Sequence, residues 1–363
     1  MPSRTPLALL LLLALATLAV LAPLGPARAA DDASALEPLA PEDSYTVTFY
    51  DENDFFAGTD EHYTNAFRIS ALSKDLPRYA QEPFLRDNAP WLAEALESIP
   101  LMSGRPEGTT YNVGFSLGNS IYTPVDTRAN GLRADDRPYA GYTYLGLALH
   151  AKNATRLDTF EIAAGVVGPS SGGKLVQDSW HHLINKYRSQ GWKHQLHDEP
   201  ALNLTWQRTQ RPLLVGLGHG WALDALPHYG GTLGNVFTYA NAGGQVRVGR
   251  YLPADFGVSL IRPGSIVGAP GSPDDPQVTG RLAYNVFAGV DGRAVARNIF
   301  LDGNTWRDSH SVTRKPFVAD LYCGASVLWR RWTFTYTHVY RSPEFEGQHD
   351  GQLFGSFSVG YTF

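Results

Sequence analysis

The last eleven residues, Leu353 to Phe363, constrain this chain more than any other segment, because their side chains alternate with the two-residue period of a strand. Leu353, Phe357, Val359, Tyr361 and Phe363 fall on one face, with Gly355 among them. Ser356, Ser358, Gly360 and Thr362 fall on the other. At the edge of a soluble sheet so apolar a strand would template aggregation. In a barrel wall the bilayer side must be apolar, while the lumen side can be small and polar. A terminal phenylalanine after such a strand is the usual ending of bacterial outer-membrane barrels.

The opposite end supports export. Arg4 precedes an apolar run from Leu7 to Leu24 and the small residues of Ala27-Arg28-Ala29, a secretory signal over residues 1–30 with an A-x-A cleavage site. No cysteine follows that site, so lipoprotein attachment is not expected, and residues 31–363 form the mature domain. Past the signal, no stretch approaches the roughly 18 uninterrupted apolar residues of a spanning helix. Strands that span lipid must pair every backbone group and therefore close into a barrel. Cys323 is the single cysteine, which excludes an intrachain disulfide, so stability rests on packing and backbone pairing. The net charge of -5 is mild and unclustered, which offers nothing to nucleic acid, and no obligate protein partner is implied.

Strand-like runs occur near 44–51, 63–72, 110–122, 140–151, 156–167, 201–210, 212–224, 235–249, 281–299, 317–328, 331–341 and 353–363. The expected fold is all-β: a single antiparallel transmembrane barrel of about twelve strands. An even count returns both termini to the periplasm. Residues 52–62, 123–139 and 168–200 are then external, and 74–109 is a long periplasmic insertion with a short helix at Ala89–Leu96. In the third external segment, Lys174 to Asn185 carries Val176, Trp180, Leu183 and Ile184 at helical spacing. A short helix there would place Gln177 and His181 on one face and turn His182 about 100° away.

Two motifs dissolve in this context. Gly114-Phe115-Ser116-Leu117-Gly118 matches G-x-S-x-G, but it lies inside an alternating strand and not at a strand-to-helix turn. Gly168 to Lys174 approaches a phosphate-binding loop, yet Leu175 stands where Ser or Thr is required. Glu52-Asn53-Asp54 taken alone reads as a turn. The topology gives it more weight, since Asn53, Asp54, Thr64, Gln177 and His181 all fall on the same external rim. A histidine beside a carboxylate can hold and deprotonate a water for attack on an ester. The oxygen donors of Asn53, Asp54 and Thr64 suit a hard cation such as calcium, which would stabilise an oxyanion. At that rim the outer leaflet would present lipopolysaccharide.

Glu52-Asn53-Asp54-Phe55, Tyr63-Thr64, Ile121-Tyr122-Thr123-Pro124, Asp136-Arg137, Val167-Gly168-Pro169, Gly172-Gly173 and Val176-Gln177 followed by His181 occur in this order. Trp192, Gln195 and Glu199-Pro200-Ala201-Leu202-Asn203-Leu204 continue the series. The set resembles the outer-membrane lipid A 3-O-deacylase family across essentially the whole mature chain. The resemblance implies a twelve-stranded, calcium-dependent barrel that releases the 3'-linked acyloxyacyl group of lipid A. It implies a histidine and an aspartate that activate water, with calcium in the oxyanion hole. Carried over, His181 is that histidine and Gln177 the neighbouring glutamine, while Asn53-Asp54 and Thr64 match the other polar positions. Two positions depart. The family lysine is replaced by Arg128, offset by about one residue, which keeps the charge for a lipid A phosphate but not the geometry. The family glutamate after the histidine falls near Asn185, so its role is absent or supplied elsewhere. An outer-membrane phospholipase and a porin or structural barrel filled by Tyr50, Arg68 and Ser70 are the competing readings.

Overall fold

The computed structural model describes residues 44–54, 62–98, 108–183, 185, 187–258, 260–264 and 275–363; the expected signal at 1–30 lies outside them. The strands are β1 (Thr46–Asn53), β2 (His62–Leu72), β3 (Thr110–Thr123), β4 (Ala140–Lys152), β5 (Arg156–Val167), β6 (Glu199–Gln210), β7 (Leu213–Gly218), β8 (Trp221–Gly234), β9 (Phe237–Arg250), β10 (Ala283–Asn298), β11 (Phe317–Trp329), β12 (Trp332–Arg341) and β13 (Gln352–Thr362). The α-helices are α1 (Pro83–Asn88), α2 (Pro90–Glu97), α3 (Gly173–Leu183), α4 (Pro276–Thr279) and α5 (Ile299–Asp302). No helix among the described residues is long and apolar enough to cross a membrane.

The sheet is antiparallel and closed, because β1 pairs with β13 and β6 pairs with β8. β6 gives Asn203–Thr209 to β8, and β7 then gives Leu213–Gly218 to the first residues of the same strand. β6 and β7 are therefore two lengths of one stave, broken at Arg211-Pro212, where proline has no N–H for the ladder. Among the described residues, thirteen strands make twelve staves. The sequence expectation of a strand at 212–224 is corrected here. Its second half crosses a turn at Gly218-His219-Gly220, all three at positive φ, and the returning stave runs on to Gly234. Glycine makes such a conformation cheap, and the apolar residues on both sides disguise the break.

The C-terminal strand faces as its alternation requires. Phe357 is exposed on the outer wall, and Ser356, Ser358 and Thr362 are buried in the lumen. Val47, Phe49, Ile69, Phe115, Leu117, Leu145, Leu202, Leu204, Val246 and Val290 extend the apolar outer belt. β1 begins where β13 ends, and there Tyr45 and Phe363 exchange backbone hydrogen bonds of 2.9 Å. This is called the terminal end below, and the opposite one the loop end.

The lumen is filled, not open. Tyr50, Arg68 and Ser70 point inward and are buried, with the Arg68 guanidinium 4.5 Å from the Tyr50 ring centroid. The connection after β9 re-enters the barrel. Arg262 reaches Asp291 at 2.7 Å and also contacts Asp320, which accepts from Arg293 at 2.8 Å and from Arg341 at 3.0 Å. Buried charges persist only when paired in this way. The Ile261 amide donates to Glu52 at 2.6 Å and the Gly264 amide to Glu161 at 3.2 Å. The sequence does not reveal this inward fold, because residues 250–282 have no strand period to betray it.

The insertion after β2 is more helical than its sequence suggests. In place of the single helix expected at Ala89–Leu96, two short helices stand, each opened by a proline whose missing N–H costs nothing at a helix start. The Glu82 side chain caps α1 by accepting from the Leu85 amide at 2.7 Å. Leu76, Tyr79, Leu85 and Ala93 pack on Val113 and Leu149 of β3 and β4. The remainder of the 74–109 insertion, residues 99–107, lies outside the described residues.

Candidate active site

At the loop end, the β5–β6 connection carries α3 back onto the outer wall. Gly172, at φ 72, closes a tight turn at Pro169–Ser171 in front of the helix. The Ser171 carbonyl accepts from Thr143 Oγ1 at 2.7 Å and from Asn119 Nδ2 at 3.2 Å. Gly141 of β4 and Gly173 of α3 pass so closely that a Cβ on Gly141 would lie 2.9 Å from the Gly173 Cα. Val176 packs on Ile121, Tyr139 and Trp192. The glycines singled out in the sequence are thus the hinge and the contact that lay the helix on the wall.

The helix has the register its spacing implied. Gln177 and His181 are each 1% exposed, whereas His182 is exposed. The expected extension to Asn185 is not helical: Asn185 sits at φ 55, and Ile184 lies outside the described residues. His181 Nδ1 lies 2.6 Å from the Tyr187 carbonyl oxygen. A carbonyl can only accept, so Nδ1 carries the proton and Nε2 is the basic nitrogen of the neutral ring. Gln177 Oε1 accepts from Trp192 Nε1 at 2.7 Å, which fixes the amide and aims its NH2 group away. Gln177 Nε2 is buried with no hydrogen-bond partner among the described residues. Such a donor is costly to bury unless a ligand or water meets it.

Asn53 ends β1 on its outward parity, opposite Asn65 of β2 and Gly355 of β13, and Asp54 follows it. Thr64 is the extra residue of a bulge between Tyr63 and Asn65, and its hydroxyl is 2.7 Å from that of Thr123. Bulges re-aim side chains in this way. All three are buried at the loop end, the end that also bears α3. From the lumen side Glu52 ties both strands, accepting from the Tyr63 hydroxyl at 2.9 Å and the Ile261 amide at 2.6 Å. Outside, a groove of ≈ 590 Å³ runs between the wall and the helix, lined by Phe49, Asp51, Asn65, Phe67, Leu175, Val176, Ser179 and Trp180.

No group of three or more His, Cys, Asp or Glu placed to hold a metal ion occurs among the described residues. A cation here would therefore rest on the Asp54 carboxylate with the amide and hydroxyl oxygens of Asn53 and Thr64. That donor set suits a hard ion such as calcium and does not suit a thiolate- or imidazole-seeking metal. Arg128, from the neighbouring loop, stacks 4.2 Å over the Tyr187 ring, which lies edge-on to His181 at 6.1 Å. The Tyr187 hydroxyl is 2.8 Å from Thr127 Oγ1. Tyr187 thus joins the cation to the histidine, a link the sequence could not show because it runs through a backbone carbonyl. Ser116, from the G-x-S-x-G match, is buried mid-strand on the lumen side with no turn to expose it.

Fold and site together define an outer-membrane β-barrel with a helix clasped to its lipid-facing wall. The family profile described as "Outer membrane protein LpxR" matches residues 10–363, and the chain belongs to that family, the one its ordered motifs resemble. No curated protein matches the sequence. Among solved structures, LpxR from Salmonella typhimurium superposes with a TM-score of 0.66 at 18% identity, over 88% of this chain and 100% of that one. The β domain of the Bordetella autotransporter BrkA matches at a TM-score of 0.39 and 8% identity, over 88% and 98% of the two chains. The translocator domain of NalP from Neisseria meningitidis matches at 0.37 and 10%, over 88% of each. These last two are too distant to inform the site.

Proposed function

We propose that the chain is an outer-membrane lipid A deacylase that hydrolyses the 3'-acyloxyacyl ester of lipopolysaccharide in the outer leaflet, with the loop end facing outward. The observation that carries this reading is the groove on the lipid-facing wall. It is lined by Phe49, Phe67, Leu175, Val176 and Trp180, and its helix carries the buried pair Gln177 and His181. Apolar walls suit an acyl chain, and the polar side chains that line the groove itself are Asp51, Asn65 and Ser179. The filled lumen speaks against a porin: among the described residues, the void beside Tyr239, Arg262 and Asp291 holds ≈ 70 Å³, room for a few waters.

In the proposed reaction His181 Nε2 takes a proton from a water held between it and Asp54, and the water oxygen attacks the acyl carbon. As the tetrahedral intermediate collapses, the ester C–O bond breaks and His181 returns the proton to the leaving alcohol oxygen. Calcium, when held by Asn53, Asp54 and Thr64, would supply positive charge for the oxyanion. The unmet NH2 group of Gln177 offers a hydrogen bond to the same oxygen, and Arg128 offers a cation to a lipid A phosphate. The test is purified protein given lipid A or glycerophospholipid vesicles, each with calcium or with chelator. Release of 3'-linked acyl groups from lipid A in calcium alone supports the proposal; release from phospholipid only would make the chain a phospholipase.

A further inference from the structure

The helical insertion 73–98 has no part in the ester chemistry, which lies at the other end of the barrel. It lies on the outside of the wall at the terminal end. Along the outward face of β3, Leu117 and Phe115 are exposed like the rest of the lipid belt, whereas Val113 is buried under the helices. Leu147 of β4 and Phe160 of β5 meet the same cover. Phe84 of α1 stands at its edge, with its ring edge-on to Phe115 at 5.3 Å and 83°. The module therefore begins where the belt stops, and its apolar surface continues the belt.

Its unburied face carries the most exposed aromatics of this region. Trp91 is 69% exposed and Phe84 51%. Around the rest of the terminal end the strands supply their own aromatics: Tyr45 and Phe363, Trp332 with Tyr361, Trp329, and Trp221 with Tyr284. At the matching ends of β3, β4 and β5 the outward residues are Tyr111, Ala151 and Asp158. Tyr111 is itself packed by Tyr79 at 4.8 Å, and Asp158 is tied to Arg156 and Arg208. Among the described residues at that level, the strand aromatic Tyr111 is already engaged by the insertion through Tyr79. Aromatic rings belong at the interface of a membrane barrel, where an apolar body and a polar environment meet.

We propose that α1 and α2 form an interfacial anchor, seated in the glycerophospholipid headgroup region of the leaflet at the terminal end, with Trp91 and Phe84 completing the aromatic girdle over β3–β5. The helices bury Leu85 and Ala93 on the barrel and offer the opposite face to lipid, as surface-lying helices do. The inference rests on the membrane-barrel fold and not on the catalytic reading.

The test places an environment-sensitive fluorophore on Trp91→Cys in a Cys323→Ser background. The full chain is folded into vesicles of phosphatidylethanolamine and phosphatidylglycerol. Phe115→Cys serves as the lipid-belt reference and Asp135→Cys as the aqueous one. Nitroxide-bearing phospholipid should quench the label at 91 several-fold more than the label at 135, and aqueous iodide should quench it several-fold less. Quenching by iodide to the extent seen at 135, with no response to nitroxide lipid, would overturn the proposal. In a second arm Trp91→Phe, which keeps an aromatic ring, is compared with the native chain. The difference in emission belongs to Trp91 and should be quenched by brominated phospholipid; an unquenched difference would also overturn it.

Discussion

His181 is oriented by Tyr187: its Nδ1 donates to the Tyr187 carbonyl at 2.6 Å, and the two rings meet edge-on at 6.1 Å. The usual device for holding a basic histidine is a carboxylate or carbonyl on the far nitrogen. Here a backbone carbonyl four residues beyond the helix occupies that place. With Nδ1 donating, any proton that the ring takes up goes to Nε2.

The helix register makes the two adjacent histidines unequal. His181→Ala removes the proposed base and should lower kcat by about 100-fold or more. His182→Ala alters an exposed side chain and should leave kcat within a few-fold. Ester-release rates on lipid A vesicles separate the two.

Gln177 is held by one hydrogen bond from Trp192, itself packed on Tyr139 at 5.2 Å. Trp192→Phe keeps an aromatic ring in that place but removes the N–H, releasing the amide to rotate. The loss of one buried hydrogen bond, about 1.4 kcal/mol, corresponds to roughly a tenfold fall in kcat/KM. Steady-state kinetics with the barrel shown to be folded by heat-modified gel mobility provide the check.

The close passage of Gly141 and Gly173 sets the distance from helix to wall. A methyl group at Gly141 would meet Ser171 Oγ at 2.2 Å and the Gly173 Cα at 2.9 Å, so α3 must lift. Displacement of a catalytic group by about 1 Å costs on the order of 100-fold. Gly141→Ala is therefore expected to retain the folded barrel and to lose activity to that extent, measured on the same preparation.

Arg128 should act on binding. Its guanidinium rests on Tyr187 and is exposed to solvent beyond it. Arg128→Ala should raise KM for lipid A about tenfold, the scale of one charge-assisted hydrogen bond, with kcat little changed. Substrate lacking the phosphate should be insensitive to the substitution.

The loops at the site's end should loosen in acid. Burial works to raise the Glu344 pKa, but Arg137, 2.6 Å away, and Arg341 together hold it at about 2, against an ordinary 4.5. A carboxyl lowered on folding contributes stability above its unfolded pKa and loses it as pH falls through the folded one. The contribution is on the order of 3 kcal/mol, lost between about pH 4.5 and 2. Thermal unfolding followed across that range should show this slope in the native chain and a reduced one in Glu344→Gln.

What could be read from the sequence follows the period of each element. A stave with one face in lipid and one in the lumen alternates, so eleven of the twelve were visible as separate runs; the twelfth was misplaced at Gly218-His219-Gly220, where apolar residues flank the turn. The buried Gln177 and His181 were legible because a helix repeats at a fixed spacing. The re-entrant segment around Ile261 and Arg262 was not, because its hydrogen bonds are made by backbone amides to distant Glu52 and Glu161. The same is true of Tyr187, which acts through its carbonyl. The helical insertion was legible in kind but not in place, since nothing local says which wall Leu85 and Ala93 will cover.

The most direct test of the account is the mass spectrum of lipid A from cells carrying the protein in their outer membrane, in a host whose lipid A bears the 3'-acyloxyacyl chain. The account predicts a new species lacking that group with the native chain, and its absence with His181→Ala at equal outer-membrane abundance. An unchanged acyl pattern with folded native protein, or the same new species with His181→Ala, would contradict it.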